Sequence, residues 1–317
     1  MESLSYDLLQ IIFMGLDFIS QIRYCQLNAF KYDNIHMTNF YDIEEVIKDK
    51  LSDEILVKYP HITKLNADNN SSITNVNHLC KLQMLSASYR CGIDQNGISE
   101  LRHLRKLNAM YNHKITNVNH LHKLLVLLAC KCGINQNAIS ELRHLRKLNA
   151  SYNTQITNVN HLHELQELNA AEDCGIDQNG ISELKHLRKL TADNNTKITN
   201  VNHLHELEEL NACGSCGINQ TGISELKYLR KLNANNNRQI TNVNQLHELQ
   251  ELDAAGCCGI GQNGISELRH LRKLDASYNW QITNVNHLHE LQELYAAGYC
   301  GINQNGISEL RHLRKLN

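Results

Sequence analysis

Apolar residues recur along this chain at a short, fixed period. From about residue 61 onward, leucines follow the order L-x-x-L-x-A, then Asn or Cys, then Ile. Leu145, Leu148, Ala150, Asn153 and Ile156 show the order, and Val159, Leu162 and Leu165 complete the turn. The second leucine of each motif is Leu65, Leu85, Leu107, Leu127, Leu148, Leu168, Leu190, Leu210, Leu232, Leu252, Leu274, Leu294 and Leu316. The steps alternate between 20 and 22 residues, with a single 21 from Leu127 to Leu148, so the unit is a pair of coils about 42 residues long. Within "KLNA", Leu148 and Ala150 alternate with Lys147, Asn149 and Ser151, which predicts a short strand with one apolar face. The segments between strands, "ITNVNHLHEL" and "QNGISELRHL", predict turns or single 3₁₀ or α turns, not long helices. One such coil cannot bury its own leucines; stacking makes the core. At ~4.8 Å per strand, thirteen strands predict a sheet roughly 60 Å long.

Two features explain why coils come in pairs. Asn70, Asn112, Asn153, Asn195, Asn237 and Asn279 fall at one position of the first coil type and are expected to bond the backbone of neighbouring turns. Cys91, Cys132, Cys174, Cys216, Cys258 and Cys300 hold that position in the second type. The outward residue before the strand leucine also alternates, as Lys147, Glu167, Lys189, Glu209, Lys231, Glu251, Lys273, Glu293 and Lys315. A repeat of one coil would set like charges on adjacent strands, which destabilises a sheet; alternation gives a self-neutralised, solvated face.

The pattern resembles the leucine-rich repeat, with Ala where Leu is usual and often one extra residue before the Ile. The resemblance covers residues 61–317 and implies an α/β leucine-rich-repeat solenoid: a curved parallel β-sheet with short turns or 3₁₀ segments on its convex side. Residues 33–60 read as a linker and helical N-terminal cap, with "DIEEVIKDKLSDEILVK" as one or two helices. Residues 1–32 lie outside the repeat and read as two short amphipathic helices broken near Gly15-Leu16-Asp17. Leu4, Asp7, Leu8, Leu9, Ile12, Leu16, Asp17, Ile22 and Cys25 give this head a resemblance to the F-box, although Ser5 replaces the usual Pro and no Trp follows Cys25. An F-box followed by leucine-rich repeats is similar to the substrate receptors of cullin-type ubiquitin ligases. That likeness implies an adaptor subunit docked on Leu4, Leu8, Leu9, Ile12 and Leu16, and a target held by the repeats. The whole chain also resembles F-box-like repeat proteins of amoeba-infecting giant viruses, which implies action in the host cytoplasm. The alternative is a binding or structural solenoid whose N-terminus is only a cap.

Composition narrows the classes further. Lys and Arg number 31 against 33 Asp and Glu, a net charge of -2, which does not suit a nucleic-acid partner. The longest apolar runs, "IIFMGL" and "LLVLLA", are too short to span a bilayer, so no membrane association is expected. Met1 to Ile22 carries Glu2, Asp7 and Asp17 with no basic leading segment, and the 11 cysteines are odd in number; both fit a cytoplasmic chain with reduced thiols. The 18 histidines suggest metal, yet copies of His161 and His163 recur only every other coil, about 10 Å apart, too far to share one ion. Cys213 and Cys216 form a lone CxxC, read as core filler. No cofactor motif or catalytic constellation occurs, so the expectation is no enzyme and no cofactor.

The copies also serve as an internal alignment. "ITNVNH", "SELRHL" and the inward leucines hardly change, while variation concentrates just after each strand and in the loop beyond it. Coil "KLLVLLACKCG" loses its charged pair to Leu125 and Val126 and carries Leu128 where Asn is usual; Met84, Tyr89, Met110, Tyr111 and Tyr152 lie on neighbouring coils. These residues predict an apolar partner-binding patch. Tyr278, Trp280, Tyr295 and Tyr299 predict a second one. At the far end, the strand at Leu316 predicts an open sheet edge suited to self-association.

Overall fold

A computed structural model describes residues 36–317 together with Met14, Leu16, Asp17, Ile19, Ser20 and Gln21. Two compact units divide the chain, residues 1–142 and 143–317. The first holds β1 (Asn39–Phe40), α1 (Glu45–Lys48), α2 (Asp53–Leu56), β2 (Lys64–Asn66), β3 (Met84–Ser86), β4 (Lys106–Asn108) and β5 (Val126–Leu128). The second holds β6 (Lys147–Asn149), β7 (Glu167–Asn169), β8 (Lys189–Thr191), β9 (Glu209–Asn211), β10 (Lys231–Asn233), β11 (Glu251–Asp253), β12 (Lys273–Asp275), β13 (Glu293–Tyr295) and β14 (Lys315–Leu316). In each unit every strand pairs in parallel with the next in sequence. The register sets leucine beside leucine, as in Leu210, Leu232, Leu252 and Leu274. Between coils the chain makes short 3₁₀ turns, such as Asn179–Ile181 and Thr221–Ile223, as the polar return segments predict.

Alternation decides what is buried. In coil after coil the strand leucine and the following alanine are sealed from solvent, as are the Ile, Val and Leu of the return. Full burial of one such aliphatic side chain is worth about 1.5–3 kcal/mol, so stacking supplies the driving force that no single coil has.

The Asn and Cys positions explain the two-coil unit. Asn237, buried, donates through Nδ2 to the carbonyls of Ala212 (2.8 Å) and Ile218 (3.1 Å) in the preceding coil. Its Oδ1 accepts from the backbone of Gln239 (2.8 Å). Asn112, Asn195 and Asn279 repeat both donations. The backbone carbonyl of the same Asn is taken by the next coil: Gly217 donates to Asn195 and Gly259 to Asn237, each at 3.0 Å. These glycines follow the Cys of the second coil type and stand against the neighbouring backbone. A Cβ on Gly217 would lie 2.5 Å from the Thr196 carbonyl oxygen and 2.8 Å from that of Ile198. Cys91, Cys174, Cys216 and Cys258 are buried beside them, while Cys300 is only half-buried.

Residues 36–58 imitate a coil. β1, not foreseen in a segment read as linker and helices, pairs with β2 and sets buried Phe40 beside Leu65. Asn70 donates to the carbonyls of Lys48 and Leu51 (2.8 and 2.9 Å), as later asparagines do to true coils. The Asp53 carboxylate accepts from Thr74 N (2.8 Å) and Asn75 N (3.3 Å). In the repeats the side chain of Gln95, Gln178, Gln220 or Gln262 takes that role.

Two outcomes test this frame. Asn237→Ala leaves the Ala212 and Ile218 carbonyls unpaired in the interior and lowers stability by about 2–4 kcal/mol in urea unfolding; Asn237→Asp, which offers no donor, does no better. Gly217→Ala forces backbone apart and costs about 1–3 kcal/mol, read as faster amide exchange in the coils on either side.

Candidate functional site

Each strand presents outward side chains before and after its leucine and again beyond its alanine. In the second unit the first of these columns is the Lys/Glu ladder. Lys189 meets Glu209 at 2.7 Å and Lys231 meets Glu251 at 3.0 Å. The Glu251 hydrogen bond and charge hold the Lys231 ammonium above its usual range. These pairs are about half exposed, so each adds little to stability and its main effect is to cancel charge on the face.

The middle column shapes the exit from each strand. The Asn149, Asn233, Asp253 and Asp275 side chains each accept from the backbone two residues on, at 2.9–3.0 Å. Over β8–β13 the face forms a shallow trough of about 380 Å³ with Lys231, Asn233, Asp253, Asp275 and Tyr295 in its lining. Asp253 and Asp275 stand opposite each other on β11 and β12. Burial, and then the Asp275 charge, raise the Asp253 carboxyl above its ordinary range. At the trough's end Lys315 Nζ donates to Tyr295 Oη at 2.6 Å, and Lys273 Nζ lies 5.6 Å from the ring centre.

The first unit's face is different. Met84, Lys106 and Val126 are register partners on β3, β4 and β5, as are Ser86, Asn108 and Leu128. Met84, Met110, Val126 and Leu128 are half-buried, and Lys106 and Asn108 interrupt the apolar stripe. Leu125 lies just before its strand and bonds back to the Arg105 carbonyl (2.8 Å), at the opposite strand end from Tyr89 and Tyr111. Lys106 Nζ stands 5.8 Å from the ring centre of Tyr41, a residue that sequence reasoning passed over. Burial, then the Asp68 charge, raise the Tyr41 hydroxyl pKa.

Just beyond each strand lies a rim with one unusual property. One residue per coil takes a left-handed backbone: Asn69, Tyr89, Tyr111 and Lys131 in the first unit; Tyr152, Glu172, Asn194, Gly214, Asn236, Gly256, Tyr278 and Gly298 in the second. Gly adopts this conformation freely and Asn readily, whereas a tyrosine there costs roughly 1 kcal/mol. The tyrosines are nonetheless exposed: Tyr89 by 51%, Tyr152 by 45% and Tyr278 by 60%. Tyr89 and Tyr111 stack, ring centres 5.1 Å apart and planes 8° from parallel. Lys131 Nζ lies 5.9 Å from the Tyr111 ring centre. The coil of Lys131 is the one a residue short; no counterpart of Arg90 separates Lys131 from Cys132, and the Cys132 thiol closes the tightened turn on the Ala129 carbonyl (3.2 Å).

In the second unit the Tyr278 ring lies flat over Gly298, where any Cβ would enter it. Trp280, the chain's one tryptophan, is 72% exposed, and Tyr299 is exposed beside Gly298. Tyr295 stands apart from them, in the trough. The structure therefore gathers Tyr89 and Tyr111 on one rim and Tyr278, Trp280 and Tyr299 on another, and distributes the methionines and Leu125, Val126 and Leu128 over the sheet. It also adds Arg90, Lys114 and Lys131, whose signal in the sequence is a cation at rim positions of three consecutive coils.

Other candidates resolve as follows. Burial pushes the Cys213 thiol up to about 12, with the Asp193 charge adding to it, and that of Cys216 up to about 11, so neither is a ready nucleophile. Among the described residues no three His, Cys, Asp or Glu side chains are grouped to hold a metal ion, and no helix is long and apolar enough to cross a membrane. Leu4, Leu8, Leu9 and Ile12 lie outside the described residues. Leu16 is 37% exposed and edges a hollow lined also by Met14, Thr38, Ile43 and Thr63.

No protein-family model and no curated protein matches the chain. Solved structures do. An internalin of Listeria monocytogenes is similar at 18% identity with a TM-score of 0.51, over 86% of this chain and 85% of that one. A leucine-rich-repeat protein of Leptospira interrogans gives 18% and 0.50 over 93% and 98%. The yeast Rad7–Elc1 complex structure gives 14% and 0.50 over 96% and 86%. At such identities the likeness concerns fold. The coil geometry and these likenesses together make this chain, by fold, a leucine-rich-repeat solenoid.

Proposed function

We propose that this chain is a protein-binding solenoid with no catalytic role of its own, and that its head docks the adaptor subunit of a cullin-type ubiquitin ligase. The observation that carries the binding reading is the rim: exposed tyrosines kept in a left-handed backbone where most other coils place Gly or Asn. Aromatic side chains exposed at a cost to the fold are what a partner would bury. Leucine-rich-repeat solenoids in general bind proteins on the sheet face and its edges.

The ligase part rests on the F-box resemblance, and two observations favour it over a plain cap. Residues 36–58 already cover the first coil, through Phe40 beside Leu65 and through the Asn70 and Asp53 bonds, so the head is not required there. Met14 and Ile19 present 57% and 38% of their surface to solvent. That a neighbour in fold is Rad7, solved in complex with Elc1, is in keeping with this reading but does not carry it. The setting that goes with it is a cytoplasm, the host's if the chain is viral, where the ten described cysteines, none of them in a disulfide, remain thiols.

The test is co-elution of the full chain with the F-box adaptor subunit of a plausible host. Wild type is expected to co-elute, and Leu8→Asp with Leu9→Asp to elute alone at an unchanged melting temperature. Wild type eluting alone would leave a binding solenoid without a ligase.

A further inference from the structure

From the rim of the first unit we infer a docking shelf for an acidic protein segment carrying an aromatic or leucine side chain. The inference rests on the protein-binding reading above and names the chemistry of the partner. Its centre is the Tyr89–Tyr111 stack, with Lys131 Nζ 5.9 Å from the Tyr111 ring centre. Arg90, His113 and Lys114 occupy the same loops, all exposed. The rim of these three coils, Ser88–Cys91, Met110–Lys114 and Cys130–Cys132, contains no acidic residue. In the coil before, the Asp68 carboxylate is already engaged by Ser86 Oγ (2.6 Å) and Ser88 N (2.8 Å), and Asp94, beyond the rim, accepts from Gly97 N (3.0 Å).

The cations are not part of the fold's own ion pairing. Among the described residues the ion pairs of this unit are Lys48–Glu45 and Arg102–Glu100. Lys114 reaches only the Cys91 carbonyl, at 3.5 Å. Contrast the Lys/Glu ladder of the second unit, where the chain supplies its own counter-charge. A concentration of positive charge without a paired carboxylate among the described residues, in a chain whose net charge is -2, is complementary to an acidic ligand. The stacked rings add a flat apolar surface beside Lys131, with half-buried Met110 next to Tyr111 in the chain. An acidic segment with one aromatic or leucine side chain satisfies both: carboxylates to Arg90, Lys114 and Lys131, the apolar group on the rings.

Phage selection of random twelve-residue peptides on the immobilised full chain tests this. Wild type is expected to enrich peptides with at least three Asp or Glu around a Phe, Tyr, Trp or Leu. Arg90→Glu with Lys131→Glu is expected to lower their affinity at least tenfold. Tyr89→Asn with Tyr111→Asn is expected to do the same without lowering the melting temperature, because Asn69, Asn194 and Asn236 hold the same backbone in other coils. Enriched peptides that are not acidic, or that bind both variants as well as wild type, overturn the inference and leave protein binding standing. No enrichment at all counts against protein binding itself. A labelled twelve-nucleotide dT strand is the second probe; if it binds through Arg90 and Lys131 while acidic peptides do not, the shelf serves nucleic acid and the inference fails.

Discussion

Buried backbone carbonyls left over by each turn are the constraint on which this structure depends. A coil that leaves its strand and doubles back cannot bond all its own peptide groups. Asn237 and its equivalents supply the missing donors from the next coil, and their own carbonyls are met in turn by the glycine of the coil after. Without those donors, burying the leucines would strand the carbonyls away from water, at a cost set against the gain from apolar burial. The apolar core supplies most of the favourable free energy, but the amide ladder sets spacing and register, and without register the leucines would not meet. Even the cap obeys it, since Asn70 treats the ends of α1 and the turn after it as though they were a coil.

Much of the fold was legible because the relevant physics is periodic. The strand positions follow from alternating Leu and Ala, and the ladder of Lys189, Glu209, Lys231 and Glu251 from charge alternation alone. β1 was not legible: Asn39–Phe40 is two residues long and lacks the repeat's leucine, and only its pairing with β2 makes it a strand. Asp53 standing in for Gln95 was likewise hidden, because a carboxylate at the start of α2 reads locally as a helix feature.

The candidate site was half legible. Tyr89, Tyr111, Tyr278 and Trp280 stood out as departures between copies. Their shared backbone conformation did not, although Asn and Gly at the same position elsewhere were its signature. Leu125, Val126 and Leu128 were grouped with the tyrosines because sequence comparison counts apolar letters; the strand separates them along its length and Lys106 divides them across it. Arg90 and Lys131 were overlooked for the converse reason: a single surface cation is ordinary, and only stacking of coils gathers several without an acid among them.

The pairing of Asn coils with Cys-Gly coils gives the array a parity. Each such Asn needs a glycine coil after it, and in the second unit Lys147, Lys189, Lys231 and Lys273 each face a Glu on the next strand. A gene that gains or loses a single coil would break phase with both ladders at once, whereas exchange of a whole pair leaves every contact intact. Length in such a protein is therefore inherited in even steps, and the number of partner-facing positions changes two strands at a time.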